Sequence, residues 1–112
     1  MISSEEALLL FSKWRDESKV LMVISRSGRE VDVFLAAVTN VRESSGTVSM
    51  KATSLDGRQR DRVIDLREAT VEYADPREAP NPERSAEVWE CFLQVSFPAG
   101  SSVSSMMFSV AK

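Results

Sequence analysis

Apolar residues recur at helical spacing near the start of the chain, with polar residues between them. The residues that share this spacing are Ala7, Leu8, Leu10, Phe11 and Trp14. Ser3 and Glu6 have the spacing of a capping box, in which the serine side chain accepts a hydrogen bond from a backbone N–H of the first turn. The pattern predicts an amphipathic helix over residues 4–18 that covers one face of a larger core.

Alternating apolar and polar residues then predict a series of strands over residues 19–73. Turn residues at Ser27-Gly28, at 43–46 and at Asp56-Gly57 separate the apolar segments. The predicted strands cover residues 20–25, 31–41, 47–54, 62–66 and 67–73. Consecutive antiparallel strands are usually spatial neighbours, so the sequence predicts a β-meander here.

The last third of the chain has a different pattern. Three prolines fall within residues 75–85, which predicts a loop because proline removes backbone donors and restricts its predecessor. Residues 87–111 then alternate on both sides of a turn at 98–101, which predicts a β-hairpin. A lone hairpin is not stable in water, so residues 1–112 are predicted to form one domain. The predicted fold class is α+β, with the helix packed on a mostly antiparallel, strongly twisted sheet or small β-barrel of about five to seven strands.

Residues 4–73 resemble the Sm-like small β-barrel family. In that family a helix precedes a meander whose second strand is long and bent, and whose short fourth strand turns sharply into the fifth. Residues 31–41 resemble the first feature and residues 63–71 the second. The resemblance implies a nucleic-acid-binding module. The family's aspartate-aromatic-x-asparagine pattern after the second strand is missing here, where Asn40 is the nearest candidate.

Composition and charge narrow the function classes. Apolar residues are 43% and charged residues 28% of the chain, which is typical of a globular domain. The net charge of −3 disfavours binding to bulk nucleic acid, which normally requires a basic excess. The longest apolar runs are too short to span a bilayer, so no membrane association is predicted. The single cysteine, Cys91, predicts a reducing, cytoplasmic location and a buried structural role for its thiol.

The sequence shows no set of residues that could perform catalysis. The chain lacks histidine, which is the commonest general base and a common metal ligand. No nucleophile and base fall at a recognisable spacing, and no metal-ligand cluster is evident. The sequence therefore predicts a protein that is not an enzyme, with no catalytic residues, no metal and no cofactor.

Three alternating arginines form the densest cationic cluster. Arg58, Arg60 and Arg62 would share a face of a strand and could contact an anion or a nucleic acid. Arg58 and Arg62 have an Arg-x-x-x-Arg spacing that is similar to the first motif of PilZ domains, which bind cyclic dinucleotides. The second motif of that family is missing. The alternative is a solvated hairpin, because residues 56–68 contain four arginines and four acidic residues.

The C-terminal hairpin carries apolar residues at both odd and even positions, and therefore on both faces. Met106, Phe108 and Val110 predict a buried face. The apolar residues left over on the opposite face are Val88, Phe92, Val103 and Met107. A contiguous apolar patch of this kind is typical of an interface, so a homo-oligomer is predicted, most simply a dimer.

These observations rank the possible functions. A non-enzymatic domain that binds protein, including a second copy of itself, comes first because an open sheet edge invites pairing. An Sm-like nucleic-acid-binding module is the alternative. A PilZ-type regulatory domain that binds a cyclic dinucleotide is a further alternative.

Overall fold

The computed structural model describes residues 2–74 and 89–111, and it describes residues 89–92 and 111 by their backbone alone. These residues form a helix and seven strands of one antiparallel sheet. The elements are α1 (Ser4–Asp16), β1 (Leu21–Ser27), β2 (Glu30–Arg42), β3 (Thr47–Ser54), β4 (Gln59–Asp65), β5 (Thr70–Tyr73), β6 (Trp89–Ser96) and β7 (Ser105–Ala111). The predicted α+β fold class is confirmed. The predicted loop at 75–85 and the residue Val88 lie outside the described residues.

The helix starts as its sequence predicts and ends two residues earlier. The Ser3 side chain caps α1 by accepting a hydrogen bond from the Glu6 backbone N–H at 3.1 Å. Ser18 has a left-handed φ of 53°, a conformation that terminates a helix. The backbone N–H of Lys19 then donates to the Trp14 carbonyl at 2.9 Å. The chain turns there into β1.

The strand order in the sheet is β4-β3-β2-β1-β7-β6-β5. The predicted meander is correct for β1 to β4, in which β1 pairs with β2, β2 with β3, and β3 with β4. It is wrong for β5, which pairs with β6 and lies at the opposite edge of the sheet from β4. The reason is that β7 pairs with the free edge of β1. The C-terminal hairpin therefore joins the same sheet and separates β5 from the first four strands.

The sheet curls but does not close into a barrel in the part of the chain that the structure describes, because β4 and β5 each pair on one side only. The β5 edge is partly covered by Ile2, two residues before the helix. The Ile2 backbone N–H donates to the Val71 carbonyl at 2.9 Å. β4 therefore remains as the open edge.

The core lies between α1 and the inner face of the sheet. The Phe11 ring meets the rings of Trp14 and Phe108 edge-on, at centroid distances of 5.0 and 5.2 Å. Met106, Phe108 and Val110 are buried, as the alternation of β7 predicts. The buried residues of α1 are Ala7, Leu8, Phe11 and Trp14, whereas Leu10 is only partly buried.

No helix within the described ranges is long and apolar enough to cross a membrane.

Candidate functional site

One edge of β4 has no partner strand among the described residues, and its backbone groups form an open row there. Ser54 N–H donates to the Arg58 carbonyl, and Leu66 N–H donates to the Gly46 carbonyl, each at 2.8 Å. Hydrogen-bonded pairs alternate along an antiparallel ladder. The even-numbered residues of β4 therefore direct their N–H and C=O groups toward β3. Asp61 and Val63 direct theirs to the open edge.

A groove of about 510 Å³ runs beside this edge. One wall consists of residues 60–65 together with Glu68. The other wall comes from the turn between β6 and β7 and the start of β7. Its residues are Phe97, Pro98, Ser101, Ser102, Val103 and Met106. We call this space the β4 groove. It combines an unpaired strand edge with an opposite wall that is partly apolar, at Phe97, Pro98, Val103 and Met106, and polar at Ser101 and Ser102.

The arginine cluster lies on the inner side of β4. Arg62 pairs in register with Met50, and Arg60 with Ala52. Both of these β3 residues are buried on the inner face, and directly opposed residues of an antiparallel pair share a face. Arg60 and Arg62 therefore lie on the inner face of the sheet. They are near the start of β4, whereas the core pair Val48 and Ile64 lies near its end. Arg58 lies in the turn that precedes β4.

Arg62 is held in place by two neighbours on β2. The carbon centre of its guanidinium lies 4.7 Å from the centroid of the Phe34 ring, within the range of a cation–π contact. One terminal nitrogen lies 3.5 Å from an Asp32 carboxylate oxygen. The Arg62 side chain is only 24% exposed, and its buried Nε has no hydrogen-bond partner within the described part of the chain.

Arg58 and Arg60 differ in their pairing. The Arg58 Nε lies 3.3 Å from an Asp56 carboxylate oxygen. A hydrogen bond from the Ser54 hydroxyl, followed by one from the Arg58 backbone N–H, lowers the pKa of Asp56 below its usual value. Among the described residues, Arg60 has no ion-pair partner within the same range.

A second cavity of about 210 Å³ lies on the other side of Arg60 and Arg62 from the β4 groove, toward β2 and β3. Its lining residues are Asp32, Phe34, Ala52, Ser54, Asp56, Arg58, Arg60 and Arg62. We call it the arginine pocket. The structure thus brings the three arginines predicted from the sequence into one cavity, two of them in the wall shared with the β4 groove.

Sequence reasoning missed Asp32 and Phe34 as neighbours of this cluster. Both are even-numbered residues of β2, so they share the inner face. Their alternation was visible in the sequence. Their distance to Arg62 depends on the register of β2 with β3 and of β3 with β4, which the sequence pattern alone does not determine.

The structure describes the side chains of two of the four residues of the predicted oligomer interface, Val103 and Met107. Met107 pairs with Ile24 and Gln94 and is half-buried on the outer face of the sheet. Val103 packs against the core instead. The predicted alternation does not extend to it because β7 begins only at Ser105. Val88 and the side chain of Phe92 lie outside the described residues.

In the described part of the chain, no group of histidine, cysteine, aspartate and glutamate side chains is placed to hold a metal ion. Comparison with known proteins adds no assignment: no protein family, curated protein or solved structure matches this chain.

Proposed function

We propose that this chain is a non-enzymatic protein-binding domain that accepts an extended segment of another protein along β4. The observation that carries the proposal is the row of outward-directed backbone groups at Asp61 and Val63, beside the β4 groove. An exposed edge pairs readily with an added strand. In this binding mode, main-chain hydrogen bonds provide affinity and pockets for alternate side chains provide specificity.

The two faces of β4 define the chemistry of the added strand. Side chains of that strand on the inner face would contact Arg60, Arg62 and Met106. Acidic and apolar residues suit these positions. Side chains on the outer face would lie beside Asp61, Val63 and Asp65, where basic residues flanking an apolar one are complementary. The expected ligand is therefore an extended segment whose inner residues are acidic or apolar and whose outer residues are basic.

The substitution Val63→Pro tests this proposal. It removes an N–H that points to the open edge and leaves the bonds of β4 to β3 intact, and proline is tolerated on edge strands. The probe is a displayed library of random peptides selected on the unmodified protein. We expect the enriched peptides to show the alternation described above. We expect their affinity for the Val63→Pro variant to fall by about tenfold or more.

Val63→Thr is the matched control, because threonine keeps the β-branched shape and the backbone donor. Its affinity for the selected peptides should equal that of the unmodified protein. Thermal unfolding of both variants establishes that they are folded. Equal binding to the Val63→Pro and Val63→Thr variants, or enriched peptides without alternation, would contradict strand addition along β4.

Self-association is a second candidate that one observation favours. Neighbouring strands place a row of apolar side chains on the outer face of the sheet, remote from α1. These residues are Met22, Ile24, Val33, Leu35 and Met107. Leu35 is 43% exposed, and an apolar surface of this kind suits burial against a second copy in a twofold dimer.

Nucleic-acid binding is less favoured as a function. The helix and small antiparallel sheet are compatible with the Sm-like resemblance, which would make this chain an RNA-binding module. The arginine pocket, however, contains Asp32 and Asp56 beside its three arginines. Its net charge is therefore too small to provide the phosphate neutralisation that such binding requires.

The lone cysteine supports a cytoplasmic location for the protein-binding function.

A further inference from the structure

The burial of the Arg62 guanidinium costs free energy that its contacts with the described residues only partly offset. A guanidinium carries five N–H donors, and this one is mostly buried. Its contact with Asp32 is long, at 3.5 Å, and its Nε donor is unpartnered. Leaving a buried donor of a charged group unsatisfied costs free energy. The stacking on Phe34 fixes the plane of the group but provides no hydrogen-bond acceptor.

Arg60 adds a second guanidinium on the same face. It lies two residues from Arg62 along β4, so both side chains line the arginine pocket and the β4 groove. The charged groups that line the pocket are Arg58, Arg60, Arg62, Asp32 and Asp56. Asp56 contacts Arg58, and Asp32 contacts Arg62 through one nitrogen. The pocket therefore carries one excess positive charge, and Arg60 is the arginine with no ion-pair partner among the described residues.

We propose that Arg60 and Arg62 form a receptor for a small organic oxyanion, either a carboxylate or a phosphate ester. Both groups present oxygens that accept the paired N–H bonds of a guanidinium. The anion would bind the terminal nitrogens of Arg62, which have only the long 3.5 Å contact with Asp32, and would not reach the Nε, which is shielded from solvent. It would sit between the two arginines in competition with Asp32. This inference concerns a ligand site and does not depend on strand addition along β4.

The side-chain Nε–Hε signals of the arginines provide a direct NMR test. We titrate the protein with inorganic phosphate and, separately, with acetate, and hold the ionic strength constant with chloride. We expect the signals of Arg60 and Arg62 to shift and saturate with a Kd below about 1 mM for at least one anion. The stronger of the two responses identifies whether phosphate or carboxylate is the preferred group.

Four variants separate a receptor from general charge screening. Arg60→Lys and Arg62→Lys keep the charge but lose the planar fork, so each should weaken binding by about tenfold. Arg15→Lys, on α1, is the control and should not change it. Asp32→Asn should strengthen binding several-fold, because it removes the carboxylate that competes for Arg62 and leaves an exposed neutral side chain of the same shape.

Several outcomes would overturn the inference. One is a response to phosphate and acetate no larger than the response to chloride. Another is unchanged affinity in both Arg60→Lys and Arg62→Lys. Weaker anion binding in Asp32→Asn would also contradict it. Val63→Pro should bind the anion normally even though it blocks peptide binding, so failure of the ligand site and failure of strand addition are distinguishable.

Discussion

Gly46 shows how a single residue couples the turn after β2 to the end of β4. It has a left-handed φ of 68°, and its carbonyl accepts the Leu66 N–H at 2.8 Å. A Cβ at this position would collide with the side chain of Arg67. Arg67 is itself fixed by Asp65, whose carboxylate lies 2.9 Å from a terminal guanidinium nitrogen. Hydrogen bonds from the Arg67 side chain and backbone N–H lower the pKa of Asp65 below its usual value.

The substitution Gly46→Ala should therefore cost more stability than the same change at another left-handed glycine. Gly28 has a φ of 61° and open space around its Cβ position. We expect Gly28→Ala to cost about 1–2 kcal/mol from the backbone conformation alone. Gly46→Ala should cost about 1 kcal/mol more, because it also crowds Arg67. Urea unfolding measures both differences.

A double variant isolates the contact with Arg67. Combined with Arg67→Ala, the change Gly46→Ala should cost about as much as Gly28→Ala, because the colliding side chain is gone. An equal cost for Gly46→Ala and Gly28→Ala in the unmodified background would show that the crowding does not exist in solution.

Among the elements, the strands that alternate cleanly were predicted best. The bounds predicted for β3 are those observed, Thr47–Ser54. β4 begins at Gln59, three residues before its predicted start at Arg62. The start was missed because the first residues of the strand are polar at odd and even positions alike and show no alternation. The partner of β5 could not be predicted. It depends on which strand takes the free edge of β1, and this is decided by contacts between residues distant in sequence.

Hydrogen exchange of the β4 amides should report directly on the open edge of β4. Asp61 and Val63 direct their N–H groups away from β3, whereas Arg62 and Ile64 direct theirs toward it. We expect the Arg62 and Ile64 amides to exchange with deuterium at least about tenfold more slowly than those of Asp61 and Val63, since a hydrogen-bonded amide must first open and an unbonded surface amide need not. Hydrogen exchange followed by NMR measures each amide.

The selected peptides provide the control for this exchange experiment. Their addition should slow exchange at Asp61 and Val63 and leave Arg62 and Ile64 nearly unchanged. Slow exchange at all four amides in the free protein would mean that the edge is already paired in solution, and strand addition would then lose its structural basis.

The whole molecule explains why the candidate site was only partly predictable. The arginines were evident because they lie close together in sequence. The β4 groove was not, because its walls come from residues 60–68 and 97–106, which meet only when the sheet curls. The sheet also carries apolar residues on both faces, because β1, β2 and β7 have apolar residues at odd and at even positions. The inner ones pack on α1, and the outer row on β1, β2 and β7 faces away from it.

The proposed self-association through that outer row concerns the whole molecule, and Leu35 is the residue best suited to test it. Leu35 is 43% exposed, so a charged residue introduced there would not disturb the inner core. In a twofold dimer through this face, that charge would lie close to the same charge on the second copy. We expect the unmodified protein to sediment as a dimer at micromolar concentration, and Leu35→Glu or Met107→Glu to convert it to a monomer. Leu55→Glu is the matched control, because Leu55 is 81% exposed in the turn between β3 and β4, and it should leave the mass unchanged. A monomeric mass for the unmodified protein would exclude self-association by this face at such concentrations. A dimer that persists in both Leu35→Glu and Met107→Glu would place the interface elsewhere, and its loss in Val63→Pro would assign it to β4.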